Sequence, residues 1–289
     1  MIVIEGIDGV GKSSLVDNLI KGDYKLDTDK VYKLVITDVV KHGMYVPSDI
    51  IIDYDKEQFN KIRLELKEVL NKLSSYSKND TILKSDLVYY YNCIMIGYLE
   101  IAKMITPVLN QLENNGYTII ADRWIMSTIA YNGSIKNTFI SKLIEDTPKS
   151  RTPFVLADNK YRINRKGGNE RYYAISHMVN NYMKGIKSPD VTIYLTCDPR
   201  EVHNRIVTLR GETDHFEDKD KLTRTHKVYN MIINDINNKC IVNTGKLKTF
   251  NTEYGSLFNI EDTELRNEAI KLRINMLALR VKDYIKNIK

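Results

Sequence analysis

A glycine-rich loop near the start of the chain carries the residues with the clearest chemistry. Residues 6–13 read Gly-Ile-Asp-Gly-Val-Gly-Lys-Ser, which satisfies the pattern G-x-x-x-x-G-K-[ST] of phosphate-binding loops. In such loops backbone N–H groups surround the phosphates, the lysine reaches the β- and γ-phosphates and the serine hydroxyl binds Mg²⁺. The pattern therefore predicts a site for ATP and Mg²⁺, contacted by Gly6, Asp8, Gly9, Val10, Gly11, Lys12, Ser13 and Ser14.

The segments on either side of this loop have the composition needed to position it. Ile2-Val3-Ile4 is typical of a buried strand, and residues 14–20 have the spacing of an amphipathic helix. Further patterns predict strands at 31–36, 117–121, 191–196 and 240–243, and helices at 58–73 and 87–112. Because Pro107 lies inside the predicted helix at 87–112, we expect a kink or a break near residue 106. Strands that alternate with helices predict an α/β fold, a doubly wound parallel five-stranded sheet with flanking helices.

Polar segments follow four of the five predicted strands. They are residues 6–13, Thr37-Asp38, Asp122-Arg123 and Asn243-Thr244. In doubly wound sheets ligands bind beyond the carboxyl ends of the strands. We therefore expect these four segments to surround one site.

Four segments occur in the order and with the rough spacing found in one known family. Residues 5–13 match its loop, E-G-x-D-G-x-G-K-S, and residues 122–133 are similar to D-R-[YH]-x-x-S-[ST]-x-A-Y-Q-G. Residues 189–195 match P-D-[LV]-T-[IL]-Y-L, and residues 205–217 are similar to the lid pattern R-x-R-G-x-x-D-R-x-E. Over residues 1 to about 245 the chain resembles the thymidylate kinases, which are P-loop nucleoside monophosphate kinases. The resemblance implies a divergent member of that family, of a viral or phage type.

The resemblance implies an activity and a set of site residues. The activity is ATP-dependent phosphorylation of a deoxynucleoside monophosphate, with dTMP first and dUMP or a 5-substituted dUMP next. The implied catalytic residues are Lys12, Asp122, Arg123, Arg205 and Arg210. The implied acceptor-binding residues are Asp8, Tyr89, Tyr90, Arg123, Ser127, Tyr131 and Asn132, while Asn243 would border the adenine of ATP. Mg²⁺ would be held by Ser13 and Asp122.

Charge stabilisation is the main task of the implied catalytic residues. Val10 occupies a loop position where some relatives carry arginine, so the lid residues Arg205 and Arg210 would supply that charge. The alternative for this pair is a solvated basic helix face. Asp122 would bind Mg²⁺ through water or orient a neighbouring cation, and Arg123 would hold the acceptor phosphate. A buried structural Asp–Arg pair is the alternative for these two residues.

Tyr131 and the run Tyr89–Tyr91, among the implied acceptor-binding residues, each have two interpretations. Tyr131 would pack against the deoxyribose and disfavour a 2′-hydroxyl, or it is a core aromatic residue. Asn132, together with Ser127 or Thr128, would meet the edge of the base. The run Tyr89–Tyr91 supplies base stacking or belongs to the core.

The chain departs from the family on the acceptor side. The family's R-E-P-G-G-T segment has no counterpart in residues 36–43, and no arginine occurs between Leu64 and Asp122, where relatives carry one on the long helix. Asp38 follows the second strand, where it would act as general base towards a nucleoside hydroxyl. A deoxynucleoside or modified-base kinase is therefore the alternative. A non-catalytic nucleotide-binding protein is a third hypothesis, which the intact Lys12 and Ser13 oppose.

We predict a kinase domain over residues 1–245, with a flexible lid at about 203–220 and an inserted basic segment at about 150–188. The inserted segment interleaves basic and aromatic residues, which can bind single-stranded nucleic acid, although a surface arm or an oligomer contact is favoured. Residues 246–289 form a predicted C-terminal helical extension. Its apolar positions predict an amphipathic helix packed on the body or on a partner subunit, through Leu265, Leu272, Met276, Leu279 and Ile285.

Composition limits the class of protein. The chain has 289 residues, of which 43% are hydrophobic and 28% charged, which is globular, and its net charge of +6 is mild. Its three cysteines lie far apart, so no disulfide framework is predicted and a cytoplasmic location is expected, the host cytoplasm for a viral protein. A strand at residue 2 leaves no room for a signal peptide, and we expect no membrane-spanning run. Relatives form dimers, so a homodimer acting on a small nucleotide is the expected assembly.

Overall fold

The computed structural model describes residues 1–289 except 49, 51–53, 78–83, 149–150, 158–159, 165–168, 211–217, 235–238, 245–262 and 289. The strands are β1 (Ile2–Glu5), β2 (Val31–Val35), β3 (Thr118–Asp122), β4 (Phe154–Ala157), β5 (Lys160–Ile163), β6 (Val191–Thr196) and β7 (Lys239–Asn243). The helices are α1 (Lys12–Lys21), α2 (Ile36–His42), α3 (Lys56–Ser77), α4 (Lys84–Asn114), α5 (Ile125–Gly133), α6 (Phe139–Asp146), α7 (Glu170–Met183), α8 (Pro199–Arg210), α9 (Lys219–Ile233) and α10 (Thr263–Ile288).

Five strands form one parallel sheet in the order β2-β3-β1-β6-β7. The central strand β1 is buried throughout, as is nearly all of β6, which is why both read as continuous apolar runs. The predicted fold class, a doubly wound five-stranded parallel sheet with flanking helices, is confirmed. The predicted lid stays a prediction at residues 211–217, which lie outside the described residues.

The end of the second strand differs from the prediction. β2 stops at Val35, and α2 follows at once. Ile36, Val39 and Val40 have the i, i+3, i+4 spacing of one helix face, and all three are buried. Asp38 therefore lies in the first helical turn, on the exposed side, rather than in a loop beyond the strand.

Helix α4 is continuous, so the break expected near residue 106 does not occur. Pro107 removes one backbone donor, but the helix runs through it because the surrounding turns are held in the core. Leu99, Ile105 and Leu109 are completely buried. Tertiary packing thus outweighs the local penalty of the proline.

The apolar stretch of α4 also corrects an expectation about membranes. By length and composition alone, Ser85–Asn114 is suited to cross a membrane. In the structure 44% of its apolar window is buried inside the protein, where the helix packs against α3, α5, α7 and β3. A long core helix has the same composition as a membrane span, so the composition does not separate the two.

The described parts of the inserted basic segment, β4, β5 and α7, pack against one another and against the body instead of extending as a surface arm. β4 and β5 form an antiparallel pair, and α7 packs against α4 and α6. Tyr172 is buried and donates to the Asn164 carbonyl at 2.6 Å. Arg171 is paired with Asp146, with N–O distances of 2.8 and 2.6 Å. Two of the residues that suggested nucleic-acid binding therefore have internal roles.

Helix α10 packs on α1 and β7, within the predicted C-terminal extension. Its buried face agrees with the predicted one at Ile285 and differs elsewhere. Leu272 and Leu279 are exposed and Met276 is half-buried, while the side chain of Leu265 lies outside the described residues. The other buried positions, Leu277, Ala278 and Val281, lie three, four and seven or eight residues from one another and from Ile285, which is the spacing of a single helix face. The division of the chain at residue 245 stays a prediction.

Two leucines on α10 provide a matched test of this packing. Leu277 is 5% exposed and Leu279 is 42% exposed. We expect Leu277→Ala to lower the free energy of unfolding by about 2 kcal/mol or more, because it leaves a cavity. Leu279→Ala should change it by about 0.5 kcal/mol or less. Urea denaturation of both variants measures this, and equal losses would place α10 elsewhere.

Candidate active site

The loop between β1 and α1 has a backbone that only glycine tolerates at two points. Gly6 has a φ of 145°, and a Cβ there would collide with the Leu195 carbonyl oxygen. Gly11 has a φ of 100° and precedes the first residue of α1, whose N-terminus has no side-chain cap. The first-turn N–H groups of α1 are therefore available to an anion in the loop.

Lys12 places a buried ammonium inside this loop. The residue is 5% exposed, and Nζ donates to the Ile7 carbonyl at 2.7 Å. Burial lowers the pKa of Lys12 to about 8, and the charge of Arg123 lowers it further while Asp8 and Asp122 oppose the shift. Lys12 still carries its proton at neutral pH, so the loop holds a positive charge that is poorly hydrated.

Ser13 and Asp122 form a pair that fits a magnesium ion. Ser13 Oγ donates to Asp122 Oδ2 at 2.6 Å. The other carboxylate oxygen, Asp122 Oδ1, is buried and has no hydrogen-bond partner among the described residues. Mg²⁺ is commonly held by one or two protein oxygens together with water and phosphate oxygens. The hydroxyl and the unsatisfied carboxylate oxygen are ligands of that kind.

Asp8, Arg123 and Tyr131 form a second charged group beside the loop. Arg123 makes an ion pair with Asp8 and donates to the Gly6 carbonyl at 3.3 Å, and Tyr131 donates its hydroxyl to Asp8. The Arg123 guanidinium lies 5.3 Å from the centre of the Tyr131 ring. Arg123 has a φ of 73°, a conformation that costs a non-glycine residue about 1–3 kcal/mol. The surrounding contacts hold it there, which is typical of a functional site.

Glu5 is a site residue that the sequence analysis missed. It is completely buried and accepts hydrogen bonds from Trp124 N (2.9 Å), Ser127 Oγ (2.6 Å) and the Tyr229 hydroxyl (3.0 Å). Burial raises the pKa of Glu5 to about 7, although the Ser127 hydrogen bond and the Arg123 charge act against it. An acidic residue that ends an apolar strand was the available signal. Glu5 ties β1 to α5 and α9 directly behind the loop.

Two cavities meet at this charged group. The loop cavity has a volume of about 400 Å³ and is lined by Asp8, Gly9, Val10, Gly11, Lys12, Ser13, Ser14, Leu15, Val35, Thr37, Asp122, Arg123, Arg205, Thr244, Ile270, Arg273, Ile274 and Leu277. The helix cavity has a volume of about 550 Å³ and is lined by residues of the phosphate loop, α2, α3, α4 and α5 and of the segment before α5. Asp8, Thr37 and Arg123 line both cavities. The two spaces therefore share one wall.

The structure brings most of the predicted site residues to these cavities. All the predicted loop residues except Gly6 line the loop cavity, and the Gly6 carbonyl accepts from Arg123. Asp38 lines neither cavity. Of the predicted acceptor residues, those that line the helix cavity are Asp8, Arg123, Ser127, Tyr131 and Asn132.

Asn132 and Ser127 are not available to read a base, which corrects the prediction. Asn132 is 1% exposed; its Nδ2 donates to Tyr91 O at 3.0 Å and Asn92 Oδ1 at 3.1 Å, and its Oδ1 accepts from Ile140 N. Both amide donors are therefore used within the chain. Ser127 donates to Glu5. These two side chains hold α5 in place, and Thr128 is the predicted base-edge residue that lines the cavity without such a role.

The tyrosines of α4 that line the helix cavity are not the two that the sequence predicted. Tyr89 is 64% exposed, and neither Tyr89 nor Tyr90 lines the helix cavity. Tyr91 and Tyr98 do line it. The spacing of seven residues puts Tyr91 and Tyr98 on one helix face, whereas Tyr89 lies about 200° around the helix from Tyr91.

The residues predicted to contact the nucleotide from α8 and from the end of β7 differ in where the structure places them. Arg205 is buried, donates to the Thr244 carbonyl at 2.9 Å, makes an ion pair with Glu201 and lines the loop cavity, so it does not belong to a solvated face. Asn243 is exposed and does not line the loop cavity, whereas its neighbour Thr244 does. The side chain of Arg210 lies outside the described residues.

Three cations near the cavities were not predicted. Lys41 and Lys67 line the helix cavity, and Arg273 of α10 lines the loop cavity. The expected acceptor cation was an arginine on α4, whereas these lysines belong to α2 and α3. No local motif marks them, because their placement depends on tertiary packing.

Comparison with known proteins adds a similarity of fold. No protein-family model matches the chain, and no curated protein matches it. Among solved structures, the chain is similar to a thymidylate kinase from Candida albicans, with 18% sequence identity, coverage of 96% of this chain and 92% of that chain, and a TM-score of 0.49. A similarity of this size does not establish a function, which has to come from the site.

The burial of Glu5 predicts a specific dependence of stability on pH. With its pKa raised to about 7, the folded state binds the Glu5 proton more tightly than the unfolded state between pH 4.5 and 7. The free energy of unfolding therefore falls as pH rises through this window, by about 3 kcal/mol for this group. Glu5→Gln should remove that contribution. The free energy of unfolding of the variant, measured by urea denaturation, should therefore rise relative to that of the wild type as the pH increases from 4.5 to 7.

Glu145→Gln is the matched control, because Glu145 is an exposed helical glutamate far from the loop in sequence. It should follow the wild type at every pH. If Glu5→Gln also kept a constant difference from the wild type across the window, the raised pKa of Glu5 would be disproved.

Proposed function

We propose that this chain is a P-loop kinase that transfers the γ-phosphate of Mg·ATP to a deoxynucleoside monophosphate, with dTMP the first candidate and dUMP or a 5-substituted dUMP next. The shared wall between the loop cavity and the helix cavity carries the proposal. A donor in one cavity and an acceptor in the other would meet at Asp8 and Arg123. That arrangement suits direct transfer between two bound molecules.

On the donor side, ATP would occupy the loop cavity with its phosphates in the glycine-rich loop. Lys12 would contact the β- and γ-phosphates, leaving its present partner, the Ile7 carbonyl. Ser13 and Asp122 would hold Mg²⁺, which when bound neutralises charge on the phosphates. Arg205 lines the same cavity and adds positive charge to it.

The transfer itself needs positioning and charge more than covalent chemistry. A phosphate oxygen of the acceptor would attack the γ-phosphorus in line. The new P–O bond forms as the bond from the γ-phosphorus to the bridging oxygen breaks, and ADP leaves with that electron pair. Arg123 stands between the two cavities, where its guanidinium can contact the transferring group or the acceptor phosphate.

The walls of the helix cavity suit a pyrimidine monophosphate. The half-buried Tyr98 provides an aromatic surface for a base, the buried Tyr91 and Met95 line the same cavity, and Tyr131 faces the shared wall. Burial raises the pKa of Tyr98 to about 12, so its hydroxyl stays a hydrogen-bond donor.

Positive charge lines the same cavity. Lys67 and Lys41 accompany Arg123 in its walls, and Lys67 is half-buried while Lys41 is exposed. Arg123 is paired with Asp8 in these walls, so Lys41 and Lys67 supply the excess positive charge, which suits an acceptor that already carries a phosphate. They also replace the arginine that relatives carry on the long helix.

The position of Asp38 argues against the second candidate, a deoxynucleoside or modified-base kinase. Asp38 is exposed and lines neither cavity, so it is not placed to accept a proton from a bound hydroxyl. The unsatisfied oxygen of Asp122 argues against a non-catalytic protein, because a buried acceptor without a partner is costly to keep. A homodimer and a cytoplasmic location stay predictions.

A panel of acceptors tests the proposal. With ATP and Mg²⁺ we expect ADP formation with dTMP and, more weakly, with related pyrimidine monophosphates, and not with thymidine or single-stranded DNA. Lys67→Ala should raise the KM for the monophosphate about 10-fold or more, because a charge-assisted contact to phosphate is lost, with less effect on kcat. Asp38→Asn should leave turnover unchanged. Coupled measurement of ADP gives all three results.

Lys61→Ala is the control for Lys67→Ala, since Lys61 is an exposed lysine of the same helix and does not line the helix cavity. Turnover of thymidine alone, abolished by Asp38→Asn, would reverse the choice between the two kinase reactions. Full turnover after Lys12→Ala would contradict the donor site itself.

A further inference from the structure

Helix α10 forms part of the wall of the loop cavity. Ile270, Arg273, Ile274 and Leu277 line this cavity together with the phosphate loop and the first turn of α1. These four residues have the three- and four-residue spacing of a single helix face. The cavity that we assign to ATP is therefore completed by a segment far from every nucleotide-binding motif in the sequence.

One nitrogen of the Arg273 guanidinium lacks a hydrogen-bond acceptor in the part of the chain that the structure describes. This nitrogen, Nη2, is buried. Charged nitrogens are rarely buried in that state, because the lost hydration is not replaced. An acceptor supplied from the cavity would remove this deficit.

The charges around Arg273 indicate that the acceptor is an anion. Burial lowers the pKa of Arg273, and the charge of nearby Arg205 lowers it further, while Glu201 acts in the opposite direction. Glu201 already forms an ion pair with Arg205. Within the part of the chain that the structure describes, Glu201 is therefore a carboxylate that acts on both guanidinium groups. A phosphate oxygen would balance the excess positive charge, and a neutral base would not.

Contacts along α10 hold Arg273 at the cavity. Asn275 accepts a hydrogen bond from Asn18 of α1 at 2.6 Å, and Lys282 pairs with Asp27 at 2.6 Å. Tyr284 donates to the Lys239 carbonyl of β7 at 2.8 Å. The helix is therefore attached to the kinase core on two sides, and Arg273 is positioned before any ligand arrives.

We propose that Arg273 is a nucleotide-binding residue of the donor site, whose guanidinium donates to the phosphates of ATP while α10 covers the cavity. The proposal rests on the proposed function, since it takes the loop cavity to be the ATP site. It gives the C-terminal helix a direct part in donor binding. It also means that the donor site is incomplete without residues beyond the phosphate loop and the lid.

Calorimetric titration of the full-length protein tests the proposal, with ATP, tripolyphosphate and adenosine as probes. We expect Arg273→Met, which keeps an unbranched apolar stem and removes the guanidinium, to weaken ATP and tripolyphosphate binding about 10- to 100-fold and to leave adenosine binding unchanged. Arg273→Lys should fall between the two proteins, because it keeps the charge and loses the fork. In kinetics the KM for ATP should rise while the KM for the acceptor stays the same.

Arg280→Met is the matched control, since Arg280 is an exposed arginine of the same helix and does not line the cavity. It should bind ATP within about twofold of the wild type. If Arg273→Met unfolds, the comparison of Arg273→Lys with Arg280→Lys replaces it, with the first expected to be several-fold weaker.

The binding results separate a failure of the proposal about Arg273 from a failure of the proposed function. Equal binding of ATP and tripolyphosphate by Arg273→Met and the wild type would overturn the proposal and leave the proposed function intact. A loss for adenosine without a loss for tripolyphosphate would overturn it by placing Arg273 at the base. If the wild type bound no ATP at all, the donor site would be wrong, and the role of Arg273 would fall with it.

Discussion

The ion pair between Asp8 and Arg123 is the contact on which the site depends. Asp8 belongs to the loop after β1, and Arg123 follows β3, so the pair joins two neighbouring strand ends of the sheet. It also forms the wall between the loop cavity and the helix cavity. If this pair were displaced, the two cavities would lose the boundary that brings a donor and an acceptor together.

A buried polar network lies behind the loop, and burying its charged groups costs desolvation free energy. Glu5 and Lys12 are both buried. Burial raises the pKa of Glu5 and lowers that of Lys12, and each shift favours the neutral form of the side chain. Hydrogen bonds from Trp124, Ser127 and Tyr229 compensate for the desolvation of Glu5 in part. These hydrogen bonds join the end of β1 to the start of α5, next to Arg123. Ligand phosphates would meet groups that are already in place.

How much of this could be predicted from the sequence depends on whether a feature is local. The phosphate loop, the strands and the Asp122-Arg123 pair are visible because short motifs and apolar periodicity define them. Asn132 was assigned to the base because its position in a motif does not show that three neighbours in the fold already use its amide. Lys67 and Arg273 lie on helices whose placement is set by packing, so no spacing in the sequence connects them to the loop.

The most direct test of the central claim uses one molecule that would fill both cavities. In this bisubstrate ligand, five phosphates join the 5′ ends of adenosine and thymidine, so that the phosphate chain crosses the wall at Asp8 and Arg123. Because the second binding event becomes intramolecular, we predict an affinity about 100-fold or more above that of ATP or dTMP alone. An affinity no higher than that of ATP, with dTMP competing against ATP for a single site, would contradict the account.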